Sequence, residues 1–200
     1  TNIMGTKHGE GSLFDLLKSS FRQRPDYVIV GEIRGAEAFV LFQGMSSGHP
    51  SMGTMHAEDV ETLVRRLETP PINLSPSLVE SLDAVCIMSQ LKVGNKAVRK
   101  VTAINEILRV EVGNAVTNTP FTWDPATDKF YFRSNSKIFD KLVYHFGLTK
   151  EKIYQEFRLR TLLLMKLYQA RITGFQQVQE IIHAYYKTPD LVLKKFGIQR

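Results

Sequence analysis

The stretch from Arg24 to Glu58 constrains this chain more than any other. Tyr27-Val28-Ile29-Val30 is an uninterrupted apolar run that stops at Gly31-Glu32, the pattern of a parallel strand buried on both faces whose end carries a carboxylate. From Ala36 to about Ser47, the residues Phe39, Val40, Phe42 and Met45 recur at helical spacing, and Gly48 suits the position just past a helix end. Ser51 to His56 reads as a second short strand. Strand, helix and strand in this order make a βαβ unit with a right-handed crossover. Open parallel sheets hold their ligands at the carboxyl ends of the strands, so the pattern predicts Glu32 and His56 close together on one functional edge.

The flanking segments fill in the rest. Thr1 to Gly11 has three glycines and no periodicity, and reads as a loop or extended edge. Ser12 is a good N-cap for a helix with Leu13, Leu16, Leu17 and Phe21 on one face, and Arg22 and Arg24 fall at its end, where cations suit the helix dipole. Ala57 to Glu68 is a second amphipathic helix, with Glu58, Asp59 and Glu61 at its start and Arg65-Arg66 near its end, read as solvated charge. Thr69-Pro70-Pro71 stops it, and Ser75-Pro76 caps a short helix over 77–82.

Ala84–Val93 and Ala97–Val112 read as long strands joined by a Gly94-Asn95 turn. Short strands around Phe121-Thr122-Trp123 and from Lys129 to Arg133 flank a turn at 124–128, and their aromatic residues read as hairpin packing rather than a base-stacking platform. From Ser136 onward the pattern is helical. Ile138, Leu142 and Phe146 share a face, Thr149 caps a long helix through Ala170, and helices over 175–186 and 190–196 follow. The expected domains are therefore residues 1–135 and a helical part, 136–200.

A hydrophobic content of 43% is enough for one substantial domain with an appendage. The single cysteine, Cys86, excludes an internal disulfide framework and a cysteine zinc site, and an intracellular compartment is the natural reading. The longest uncharged window, 38–57, is interrupted by Gly44, Gly48, Pro50 and Gly53, so neither a membrane span nor a signal peptide is expected. Charge is uneven: residues 137–200 carry 12 Lys/Arg against 5 Asp/Glu, whereas residues 1–136 carry 14 against 15. A basic helical tail is a solvated subdomain, or a surface for an acidic partner or an anionic leaflet.

Arg24-Pro25-Asp26, the apolar strand with Gly31-Glu32-Ile33-Arg34-Gly35, then Gly48-His49 and Thr54-Met55-His56, together resemble the Walker B region and His box of the type II/type IV secretion and pilus-assembly ATPases. Phe14-Asp15-Leu16-Leu17-Lys18 and Phe21-Arg22-Gln23-Arg24 look most like the archaeal branch of that family, which includes the archaellum motor. The resemblance implies an α/β fold: the C-terminal part of a RecA-like P-loop ATPase domain, followed by a helical subdomain. It also implies ATP and Mg2+ as ligands of the intact protein, a hexameric ring, and a cytoplasmic location on a membrane platform protein.

By that resemblance, Glu32 orients or deprotonates the attacking water and helps position the metal through water. His56 senses the γ-phosphate, with His49 as the lesser candidate, and Arg22 and Arg34 are candidate phosphate contacts. Position 31 is glycine where a Walker B aspartate usually precedes the glutamate, a departure the resembled family shares.

No G-x-x-x-x-G-K-[ST] loop occurs in the 200 residues. The backbone amides and lysine of such a loop hold the β- and γ-phosphates, so the expectation is that this chain alone shows no specific ATP turnover and that a P-loop-bearing N-terminal fragment completes the site. Thr1 is either a chosen start or a cut end. Two other readings stay open: a non-catalytic module that docks on a separate P-loop chain or membrane platform, and a nucleic-acid motor fragment. Against the latter, the basic residues are spread over amphipathic helices without a clustered run.

Overall fold

The structure, a computed structural model, describes residues 12–93, 96–133 and 135–200. The expected loop at Thr1–Gly11 and the Gly94-Asn95 turn lie outside the described residues. The chain divides into two units, the first ending at Lys137 and the second running from Ile138 to Arg200.

The first unit opens with α1 (Leu13–Arg22), β1 (Val28–Val30), α2 (Glu37–Ser46), β2 (Ser51–Gly53), α3 (Val60–Glu68) and α4 (Pro76–Val79). Ser12 and Asp15 form a reciprocal capping box that starts α1. Phe14, Leu17 and Phe21 are the α1 residues on the core, whereas Leu13 and Leu16 are exposed. The buried face is thus rotated from the expected one, because α2 presents Gly44 to the Phe21 ring: a Cβ there would lie 2.2 Å from Phe21 Cζ. Gly48, at φ +87°, ends α2.

Strands β1 and β2 pair in parallel, with Val28 opposite Ser51 and Val30 opposite Gly53, so the βαβ order read from the sequence is present. Burial on both faces is not. Val28 and Val30 enter a core with Leu17, Leu41, Phe42, Val64 and Leu67, but Ile29 is 71% exposed and Tyr27 65% exposed. Helices α1, α2 and α3 supply that core to one side of the strand pair, and nothing among the described residues covers the other. The second strand is also shorter than expected, ending at Gly53 so that Thr54–Ala57 runs on outside the ladder.

The rest of the first unit is an antiparallel meander of β3 (Ala84–Val93), β4 (Lys96–Glu111), β5 (Asn114–Asp124) and β6 (Lys129–Phe132). Expected as a short strand near Phe121, β5 instead starts at Asn114, because Val112-Gly113 makes a tight two-residue turn with Gly113 at φ +74°. Pro120 has no amide to donate, and the β4–β5 register slips beside it, between Ile104 and Glu106. Phe121 and Phe132 stack at 4.6 Å.

Side-chain carboxylates tie this sheet to its surroundings. Glu80 Oε1 accepts from Val110 N at 2.8 Å and Glu68 Oε2 from Gly113 N at 2.7 Å. Glu106, only 1% exposed, accepts from Asn118 Nδ2, Ser136 Oγ and Lys137 N, the donor density that a buried carboxylate requires.

The second unit contains α5 (Lys137–Phe146, from Ile138 on), α6 (Lys150–Gln169), α7 (Phe175–Lys187) and α8 (Pro189–Lys195). Thr149 caps α6 by accepting from Lys152 N. Leu159 and Leu163 of α6, Tyr185 of α7, Val192 and Leu193 of α8, and Ile198 form its core. Phe139 of α5 packs against the aromatic rings of Tyr154 and Phe157, and Phe146, read as sharing a face with Ile138 and Leu142, is exposed. Glu156 joins α6 to α7, accepting from Arg160 Nε at 2.9 Å and Tyr185 Oη at 2.8 Å. Burial and the Glu156 carboxylate together push the Tyr185 phenol up. Among the described residues no helix is long and apolar enough to cross a membrane.

Candidate functional site

Glu32 follows the end of β1 by two residues, and side-chain-to-backbone bonds from Thr54, Glu37 and Arg66 shape its surroundings. Thr54 Oγ1 donates to Gly31 O, and Ile33 N donates to Thr54 O at 2.9 Å, so the two chains stay paired past the strand ends. Gly53 permits this approach, since a Cβ there would meet Ile33 Cδ1 at 2.7 Å. Glu37, at the start of α2, accepts from Arg34 N at 2.6 Å and Gly35 N at 2.8 Å. Arg66 of α3 reaches back and donates through Nη1 to His56 O at 2.5 Å.

The result is a three-residue cluster on the carboxyl edge of the parallel pair. Glu32 Oε1 lies 2.8 Å from Arg34 Nε and 3.2 Å from His56 Nε2. The Glu32 side chain is one-third exposed, while those of Arg34 and His56 are 74% and 84% exposed. Contact with the Arg34 guanidinium holds the Glu32 carboxyl below its ordinary value, against a smaller opposing effect of burial, and the nearby imidazole adds to the lowering. The same contact raises Arg34. Glu37 is also lowered: burial works against its charge, but the amides of Arg34, Glu37 and Gly35 outweigh it. At neutral pH the edge thus presents an ionised, hydrogen-bond-accepting carboxylate beside two groups able to meet phosphate oxygens.

The structure brings together Glu32, Arg34 and His56, and places His49 and Arg22 elsewhere. His49 precedes β2, at the amino edge of the pair, where its ring meets Phe21 edge-on at 5.0 Å and its Nδ1 is shielded without a hydrogen-bond partner. Arg22 closes α1, six residues before β1 begins, and is exposed. Arg24, next in the chain, takes a left-handed φ of +51° at the helix exit. Sequence reasoning missed Glu37, Thr54 and Arg66. A glutamate in the first turn after Arg34-Gly35 was a local signal for the first, but nothing local connects Arg66 to a carbonyl ten residues earlier.

Fold and site together define a mixed α/β domain with a carboxylate, a guanidinium and an imidazole converging at the end of a parallel strand. The chain belongs to the type II/IV secretion system protein family, whose profile matches residues 3–126. It is 36% identical over 193 residues to the uncharacterized protein MJ0900 of Methanocaldococcus jannaschii, covering 94% of this chain and 35% of that protein. It is 34% identical over 179 residues to the uncharacterized protein MJ1287 of the same organism, covering 88% of this chain and 66% of that one. It is also similar to the conjugal transfer protein TrbB of Rhizobium radiobacter, at 32% over 99 residues, 48% of this chain and 29% of that protein. The chain therefore spans about a third and just under two thirds of the two archaeal relatives.

Proposed function

We propose that this chain is the Walker B and His-box portion of a RecA-like domain, and that the intact protein hydrolyses ATP to power secretion or the assembly of a pilus or archaellum. The observation that carries the reading is Glu32 held at the end of β1 between Arg34 and His56, in a chain of the type II/IV secretion system protein family. Relatives named for conjugal transfer and type IV secretion support a role in a secretion machine.

The residues fit a nucleotide with its magnesium. Magnesium keeps several waters and takes few protein carboxylates when phosphates supply the rest. Glu32 is the carboxylate that faces Arg34 and His56 at this edge, Glu37 being engaged by the Arg34 and Gly35 amides, and among the described residues no group of three or more His, Cys, Asp or Glu side chains could hold a metal alone. When bound, the metal would offset charge on the phosphate oxygens. Glu32, held ionised by Arg34, is the group that would accept a hydrogen bond from the attacking water and orient it. His56 and Arg34, exposed beside Glu32, are the groups that would meet phosphate oxygens.

The open face of β1 at Tyr27 and Ile29 and the exposure of Arg34 and His56 suit a half-site completed by a P-loop segment and a neighbouring subunit, with the exposed Arg22 available to that subunit. The ring is a homohexamer on the cytoplasmic face of the membrane, docked on a platform protein through the basic second unit.

The test is steady-state ATP hydrolysis by the intact protein and by this chain alone. The intact protein turns over ATP, Glu32→Gln lowers the rate by about 100-fold or more, and the chain alone shows no specific turnover. Unchanged hydrolysis in Glu32→Gln would sink the reading.

A further inference from the structure

The chain that carries Glu32 and its two partners lies outside the strands. Residues 31–36 and 54–59 hold no regular structure, so their side chains are aimed by whatever fixes their main chain. For Arg34 that is Glu37, whose Oε1 takes the amides of both Arg34 and Gly35. A side chain at position 35 would press on this carboxylate, with a Cβ 3.2 Å from Glu37 Oε2. For His56 it is Arg66, through the 2.5 Å bond to the His56 carbonyl. Each partner of Glu32 is thus held by one charged residue projecting from the helix that follows it, Glu37 from α2 and Arg66 from α3. Arg65, the neighbour of Arg66, instead pairs with Glu61 along the helix surface, so the reach to His56 belongs to one arginine of the pair.

We propose that Glu37 and Arg66 are positioning residues for the site described above, setting the geometry in which Glu32 meets the attacking water and Arg34 and His56 meet phosphate. The inference rests on the ATP-hydrolysis reading. Both act through backbone, so they shape the reacting arrangement without adding a contact to a ligand. Displacing a reacting group by about 1 Å costs on the order of 100-fold in rate, and loss of either hold should appear in kcat rather than in nucleotide affinity.

The experiment is ATP hydrolysis by the intact protein carrying Arg66→Met, Arg66→Lys, Glu37→Ala or Glu37→Gln, beside Glu32→Gln, with thermal unfolding of each variant. Arg66→Met keeps the apolar stem and removes the donor; it and Glu37→Ala lower kcat by about 10- to 100-fold with KM for ATP within about threefold of wild type. Arg66→Lys, which can still donate to the carbonyl, returns kcat to within about threefold of wild type, and Glu37→Gln recovers part of the loss. The proposal is overturned if Arg66→Met and Glu37→Ala keep wild-type kcat while Glu32→Gln abolishes turnover, which leaves the site reading standing. It is equally overturned if the losses follow unfolding temperature and Arg66→Lys gives no rescue. If Glu32→Gln itself turns over at the wild-type rate, the site reading fails and this inference fails with it.

Discussion

The two sheets of the first unit are built on opposite plans. The meander is a long, continuous ladder: β3 pairs with β4 along its whole length from Ala84 to Val93, and β5 extends the ladder on the other side. The parallel pair spans three residues per strand and has one open face. It depends on helices for its core and on the side chains of Thr54, Glu37 and Arg66 for the shape of its carboxyl edge. The candidate site lies on the second kind of sheet. A short strand that stops early leaves free backbone, and free backbone can be aimed by neighbouring helices in a way that a continued ladder does not allow.

Helical support for the parallel pair can be broken most severely at Leu41, which is fully buried between α2 and the strands. Leu41→Ala should lower stability by about 3 kcal/mol in urea unfolding, through lost burial and the cavity it leaves. Met88→Ala, on the exposed side of β3, should cost less than about 0.5 kcal/mol; equal costs at the two positions would undo the contrast between the sheets.

A smaller loss is expected from Gly44→Ala. The new methyl displaces the Phe21 ring, which also packs against His49, at about 1–3 kcal/mol. A neutral or stabilising result would mean that α1 is not pressed against α2 as described.

The mildest test uses acid. The Glu37 carboxyl is lowered from an ordinary value of 4.5, so its contribution is present above that value and is lost as pH falls through the lower folded-state value. Wild-type stability should therefore fall more steeply below about pH 4.5 than that of Glu37→Gln. Parallel profiles would show that the amides of Arg34 and Gly35 do not depend on the charge.

Much of this arrangement was legible in the sequence, because the relevant signals are local. The apolar run ending at Glu32, the helical spacing through Met45 and the glycine at 48 mark a βαβ unit, and its strand ends alone place Glu32 near His56. What was not legible depended on tertiary partners. Both-face burial of β1 follows from its uninterrupted apolar run, yet Ile29 is 71% exposed with nothing described to pack against. The inward face of α1 turned on Gly44, twenty-three residues past Phe21. The length of β5 turned on how Val112-Gly113 reverses the chain, and Arg66 read as surface charge because its acceptor is a carbonyl, which no residue type announces. His49 and His56 look equivalent in sequence, but the strand between them sends them to opposite edges.

The most direct test of the central claim, that the β1 carboxylate acts in the chemical step, is single-turnover hydrolysis with labelled ATP in excess intact protein, comparing wild type with Glu32→Gln. The account predicts that the variant binds ATP at wild-type affinity and leaves it uncleaved while the wild type converts it to ADP. Cleavage of bound ATP at the wild-type rate by Glu32→Gln would contradict it.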